Sequence, residues 1–241
     1  MPKVKFYSFS KETEVIAPLP TPASKHMPQW YKSQPAYFGN ENDFNKQGFS
    51  SSTVKKCMPI FDAMSAGYIM YAPCDIFIDA TNPEKIEWSI PATLKFLERD
   101  LVAFHTPEQT GLYPKNETKY HKQIFRLMTF WAISTEPGYS ALFVQPIHRD
   151  DSPLKAFEGL VDTDKFISDG HFSFLVEKNF KGVIERGTPL IQVIPFKRED
   201  FSSEVVDAEK SAPVYIKQRY FVRSKFKHAY KLFMRSKKEY K

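Results

Sequence analysis

The chain is poor in cysteine and glycine and has no long apolar run. Two of its 241 residues are cysteine, Cys57 and Cys74, and nine are glycine against 18 proline. Neither cysteine stands in a paired ligand spacing, which excludes a zinc site of the C-x-x-C type, and a chain of this size needs no disulfide staple. Both thiols are expected to be reduced. The few glycines form no phosphate-cradling loop, and no Ser-His-Asp order is present, so the sequence gives no sign of a P-loop or acyl-transfer enzyme. No stretch approaches the roughly 18 uninterrupted apolar residues of a membrane helix, and the opening MPKVKFYSFSKETEV lacks the apolar core of a signal peptide. A protein that stays in the cytoplasm is expected.

What is present points to strands. Hydrophobic residues make up 42% of the chain and aromatic residues 15%. Aromatic richness with more proline than glycine suits a strand-and-loop protein with rigid connections rather than a helical bundle. The net charge of +6 is unevenly placed. Residues 215–241 carry ten Lys or Arg and one acidic residue, which leaves 24 basic against 27 acidic residues elsewhere. The body is nearly neutral, and the basicity belongs to the tail.

Taken in order, residues 4–9 (VKFYSF) alternate as a strand. A proline-punctuated arm follows over residues 17–37; proline fixes φ and removes amide donors, so this arm is neither helix nor central strand. Within it Trp30 and Tyr31 either pin the arm to the body or form a docking ligand for a partner. FGNENDFNKQGFSSS is a polar surface loop, and TVKKCMPIFDAMSAGY predicts a short helix ending at Gly67. YIMYAPCDIFIDA reads as one bent strand or a tight pair, and IEWSI completes a hairpin across ATNPEK. TLKFLERDLVAF suits helix or strand equally. The long polar loop beyond it holds His105 and Gln109 as possible site residues.

QIFRLMTFWAI is an aromatic strand, and TEPGY supplies a turn into ALFVQPI, so these two strands are expected to pair antiparallel. FEGLVDTD, HFSFLVEK and PLIQVIPF continue the series at short spacing. Such spacing argues for a sandwich or barrel over βαβ units. The expected fold is mainly β, an antiparallel β-sandwich or jelly-roll or a cupin-like barrel, forming a single domain over residues 1–212. Residues 213–241 are expected to form a basic amphipathic helix opened by Pro213. Val222, Phe226, Ala229, Tyr230 and Phe233 share one face of it, and Arg223, Lys227, Lys231 and Arg235 occupy others. That helix either docks on the body or meets a membrane surface, a nucleic acid or a partner.

Several phrases together resemble an uncharacterised family of bacteriophage proteins, common in viruses of marine cyanobacteria, with more distant bacterial relatives of unknown function. They are PQWYK, TVKKCMPIFDAMSAGYIM, FWAISTEPGYSALFVQP, GLVDTD and GTPLIQVIPFKRE, and they cover most of the body. The resemblance implies a phage origin and one β-rich domain, and it brings no catalytic residue with it. SAGYIMYA and GVIERGTPLIQVIPF also look like the opening motif and a late strand of the trimeric dUTPases. This chain has Ile69 where that family places an Asp after Gly-Tyr, and Glu185-Arg186-Gly187 without a tyrosine where it places its catalytic turn.

Two constellations could carry chemistry. His148, Asp150 and His171 have the composition of a 2-His-1-carboxylate triad, which holds iron with positions open for a co-substrate and oxygen. The competing reading is an ordinary polar turn before Pro153. Asp162 and Asp164 lie two apart and face one side of a strand, where they either bind a cation or cap local backbone amides. The expected function is therefore a phage structural, assembly or interaction protein with no cofactor, acting in the host cytoplasm or the virion. Its partners would be phage or host proteins or a second copy, met through Trp30, Tyr31, Arg223, Lys227, Lys231 and Arg235, with nucleic acid a less favoured partner. The alternatives are an auxiliary enzyme holding Fe(II) or another divalent metal, and a dUTPase-like nucleotide-binding protein.

Overall fold

The computed structural model describes residues 2–44, 46, 51–114, 116–149, 151–167, 170–224 and 229–241. In chain order its elements begin with β1 (Val4–Ser8), α1 (Lys11–Ile16), β2 (Thr21–Pro22), α2 (Gln29–Ser33), α3 (Met58–Ser65), β3 (Tyr68–Tyr71), β4 (Ile76–Asp79) and β5 (Glu87–Ser89). There follow α4 (Glu98–Leu101), β6 (Val102–Phe104), α5 (Pro107–Thr110), β7 (Tyr120–Met128), β8 (Trp131–Thr135) and β9 (Tyr139–Val144). The series closes with β10 (Leu154–Ala156), β11 (Gly159–Val161), β12 (His171–Glu177), β13 (Lys181–Ile184), β14 (Pro189–Lys197), α6 (Ala208–Ser224) and a π turn at Tyr230–Met234. These elements form two compact units. One comprises Met1–His26, Ala66–Arg198 and Tyr240–Lys241; the other comprises Met27–Ser65 and Glu199–Glu239.

The first unit is an antiparallel β-sandwich. A five-stranded sheet in the order β11-β9-β14-β3-β2 and a four-stranded sheet in the order β10-β12-β7-β6 share one core. Side chains alternate across each strand, so Phe125 and Leu127 of β7 and Phe172 and Phe174 of β12 turn inward towards Ala141, Phe143 and Val193 of the other sheet. The rings of Phe143 and Phe172 meet between the sheets, 5.3 Å apart. A three-stranded sheet, β13-β4-β5, adds Ile76, Ile78 and Ile184 to that core, and β1 pairs with β8. The chain is mainly β in antiparallel sheets, the class its short strand spacing predicts.

Turn chemistry sets the register. Tyr139 N–H donates to Glu136 O (3.2 Å), and Gly138 takes φ +85°, which is the type II turn that Pro137-Gly138 encodes. Thr188 N–H donates to Glu185 O (3.0 Å) around Gly187 at φ +88° in the same way.

Two pairings differ from the sequence reading. QIFRLMTFWAI does not run straight: Phe130 takes φ +62° and divides it into β7 and β8. As a result β8 pairs with β1, while β9 lies between β11 and β14. The strong short-range turn at Pro137-Gly138 therefore returns the chain into a different sheet. YIMYAPCDIFIDA likewise splits, with β3 in the five-stranded sheet and β4 in the three-stranded one. The unassigned TLKFLERDLVAF resolves into a 3-10 turn, α4 and β6.

The second unit is helical and irregular. Tyr31 is buried, donates its hydroxyl to Lys55 O (3.1 Å) and faces the Phe61 ring. Thr53 caps the following 3-10 turn, accepting from Lys55 N–H (3.2 Å) and donating to Pro35 O (2.5 Å). The C-terminal helix begins at Ala208, not at Pro213, and residues 235–241 are not helical. Pro213 costs the helix one bond, from the carbonyl of Glu209, an exposed residue whose oxygen is open to water. Of the expected apolar stripe, Phe226 lies outside the described residues; Ala229 is buried, while Tyr230 and Phe233 are exposed.

Candidate functional site

The paired carboxylates are closed by a cation from within the fold. Arg198, just past β14, forks onto Asp164, with Nη1 2.7 Å from one carboxylate oxygen and Nη2 on the other, and it lies 3.3 Å from Asp162. Gly138 N–H donates to Asp164 (2.8 Å) and Ser140 Oγ to Asp162 (2.7 Å). The Arg198 hydrogen bonds hold the Asp164 carboxyl far below the usual carboxylate range. Asp162 and Asp164 thus tie β11 to the end of β14 and to the Pro137-Gly138 turn, through a guanidinium, a hydroxyl and an amide that are all distant in sequence.

The two histidines of the proposed metal set lie on different elements. His148 lies in the turn that follows β9, next to Ile147, whose N–H donates to Gln192 (2.9 Å), and that loop leads into β10. Leu154 at the start of β10 pairs with Val176, whereas His171 pairs with Met128 at the opposite end of β12. Five residues of strand, about 17 Å at 3.4 Å per residue, separate Val176 from His171. Both histidines are engaged with other groups, and Asp150 lies outside the described residues. Among the described residues no three His, Cys, Asp or Glu side chains are grouped to hold a metal ion.

The partner-binding residues separate into two kinds. Trp30 is exposed and Tyr31 is core, their rings edge to face at 5.6 Å. Arg235 does not face a partner: its Nε and Nη2 grip Asp62 at 3.0 and 2.6 Å, and its guanidinium lies 5.6 Å from the centre of the Phe61 ring. Lys231 is exposed, Arg223 belongs to the last turn of α6, and Lys227 lies outside the described residues. Around them Val214, Tyr215, Ile216, Tyr220 and Phe221 of α6 are all open to solvent.

A cleft of about 230 Å³ opens in the first unit, lined by Gln145, Arg149, Asp151, Glu185, Thr188 and Pro189 among others. Arg149 donates from Nη2 to His26 O, and burial of its guanidinium lowers its pKa against the opposing pull of Asp151. Glu185, from the dUTPase-like phrase, is on the cleft wall; Ile69, from the other, is buried beside Ala23 and Tyr71. Cys57 and Cys74 are free thiols, and burial first, then Asp75, pushes Cys74 up to about 11.

His105 and Gln109, singled out by their loop, do come together, and they do so on Ser173 of β12. His105 bridges Ser173 Oγ (2.7 Å) and Gln109 Oε1 (3.2 Å). Sequence reasoning missed Ser173, which is 68 residues from His105 and looks like any outward position of an alternating strand.

No family model matches the chain, and no curated protein does. Among solved structures it is similar to a mutant dUTPase of Staphylococcus bacteriophage 80alpha, at 11% identity and a TM-score of 0.36, over 85% of this chain and 96% of that one. It is similar also to a mutant dUTPase of phage phi11 of S. aureus, described as coordinating a structural Mg(II) ion, at 11% identity and a TM-score of 0.35, over 85% and 97% of the two chains. Similarity at this level transfers no activity.

Proposed function

We propose that the chain is a bacteriophage structural, assembly or interaction protein, a β-sandwich module that carries a partner-binding helix, α6. The observation that supports this is the exposure of Val214, Tyr215, Ile216, Tyr220 and Phe221 on α6, continued by Phe201, Val205 and Val206 just before it. A helix in water draws most of its stability from packing an apolar face, and exposed apolar surface rimmed by polar groups marks an interaction site. Lys210, Lys217 and Arg219 stand among these apolar residues. A protein surface with an apolar centre and an acidic rim answers both features. Nucleic acid answers only the charges, because branched aliphatic side chains gain nothing against a phosphate backbone.

The experiment is site-specific photo-crosslinking in infected cells, with the reactive amino acid at Tyr215 or Tyr220. A discrete adduct with one phage or host protein, or with a second copy, is expected, and it should vanish when Tyr220 and Phe221 are both changed to Ser. A folded protein that gives no discrete adduct from either position would remove the proposal's support.

A further inference from the structure

The outer face of the four-stranded sheet holds a serine and a histidine whose hydrogen bonds have a defined direction. Ser173 Oγ is 2.7 Å from His105 Nε2, and His105 Nδ1 is 3.2 Å from Gln109 Oε1. The direction follows from a fourth group. Thr106 backbone N–H can only donate, and its partner is the same Gln109 Oε1, at 3.0 Å. That atom is therefore the amide oxygen, an acceptor, so Nδ1 of His105 carries the hydrogen. A neutral imidazole protonated at Nδ1 keeps its lone pair on Nε2. Ser173 is then the donor, with its Oγ–H aimed at the lone pair that would take its proton. This is the relation of a nucleophile to its general base, with the base oriented by a third group.

The surroundings suit an acyl substrate. Ser173 is half-buried and lies in register with Arg126 of β7. Residues directly opposite across antiparallel strands hold their Cβ atoms about 4.5–5.5 Å apart, so the Arg126 guanidinium can reach an oxygen attached at Ser173. The Arg126 backbone belongs to the β6–β7–β12 ladder, and among the described residues its side chain has no hydrogen-bond or ion-pair partner. On the other side Phe157 donates its N–H to Ser173 O (2.9 Å), and the Tyr113 ring lies tilted against that of Phe157, their centres 4.5 Å apart. The serine therefore sits between a cation and an aromatic wall.

We propose that this cluster is an esterase-type site for short-chain esters, independent of the partner-binding role of α6. Ser173 is the nucleophile, His105 the general base, Arg126 the cation facing the developing oxyanion, and Gln109 a positioning residue. In acylation, Ser173 Oγ forms a bond to the ester carbonyl carbon while its proton passes to His105 Nε2. Collapse breaks the bond to the leaving alkoxide, which takes that proton from His105. Water then attacks acyl-Ser173 by the same route, releasing the acid and restoring the serine.

The test uses the full chain with a fluorophosphonate probe and with p-nitrophenyl acetate. A single phosphonyl adduct on the Ser173 peptide is expected, lost in Ser173→Ala and in His105→Ala. Ester hydrolysis should fall by about 10²-fold or more in His105→Ala, the usual share of a general base. Gln109→Ala should lower kcat and move the acid limb of the pH profile, with Gln109→Glu restoring it; a merely structural glutamine would leave that limb in place. The wild-type labelling result needs no variant to fold. No adduct, an adduct on another residue, or labelling of His105→Ala at the wild-type rate would each overturn the proposal.

Discussion

Replacing Gly67 with alanine separates two costs that a glycine with positive φ usually hides together. Gly67 links α3 to β3 at φ +69°, and a Cβ built on it falls 1.8 Å from Val193 O, where real Cβ atoms essentially never approach within 3.0 Å. Gly138 has a similar backbone, φ +85°, with nothing within 4 Å of its Cβ. The left-handed conformation alone costs an L-residue roughly 1–2 kcal/mol. Gly138→Ala should stop there, lowering Tm by about 2–8 °C at ~2–4 °C per kcal/mol for a chain of this size. Gly67→Ala must also push β3 from β14 by at least 1.2 Å, the gap between those two distances. Such a shift breaks the Ala23 N–H bond to Gly67 O (3.0 Å) and strains the Tyr68–Val193 register. Each buried donor or acceptor left unsatisfied costs about 1–3 kcal/mol. The total, on the order of 3–8 kcal/mol, is a large share of the ~5–15 kcal/mol that holds a domain folded. Urea melts of the two variants side by side measure the difference. Equal midpoints for Gly67→Ala and Gly138→Ala would refute the argument from close approach.

Two further outcomes are expected. His121 is fully buried and neutral: Nε2 donates to Asn82 O (2.9 Å), Nδ1 accepts from Gln123 N–H (3.0 Å), and burial lowers its pKa. Because the unfolded chain protonates first, its contribution is whole above about pH 6.5 and is lost as pH falls below that value; denaturant midpoints should decline there in the wild type and decline less in His121→Asn. Asp62 is held below the usual carboxylate range chiefly by the Arg235 hydrogen bonds, so that pair stabilises above the ordinary carboxylate pKa and fades as pH falls through the lower, folded one. Arg235→Ala should speed proteolysis within residues 199–239 at pH 7 and flatten the acid dependence, Arg235→Lys should recover part of both, and unchanged cleavage rates in Arg235→Ala would show that the pair holds nothing.

What the chain revealed of its fold was local. Alternation marked β1, β9, β12 and β14, and Pro137-Gly138 and Gly67 announced a turn and a helix end, because these features depend on a few adjacent residues. Partner choice was hidden for the same reason. That β14 lies between β9 and β3 joins segments more than 40 residues apart, and nothing in PLIQVIPF names its neighbours. Phe130 misled the reading most, because a positive φ at a bulky residue is unusual and leaves no mark in an aromatic run.

The sites show the same division between local and distant information. His148 and His171 looked like ligands because they stand near each other in sequence, and they fall on different elements, the loop after β9 and the start of β12. Asp162 and Asp164 could be read as a cation site or as amide caps, and the charge that occupies them, Arg198, stands just past β14 and is invisible from GLVDTD. His105 and Gln109 were legible as residues of one loop, and the capping box of Thr106 with Gln109 holds that loop locally, but the serine they serve is set by the pairing of β12 with β7. Tertiary pairing therefore acts in both directions on this chain: it neutralises charges that look free in the sequence and brings a hydroxyl to a histidine that looks unemployed. Residues with a locally fixed geometry but no local task, as His105 has beside α5, are the ones whose partners should be sought across the sheet.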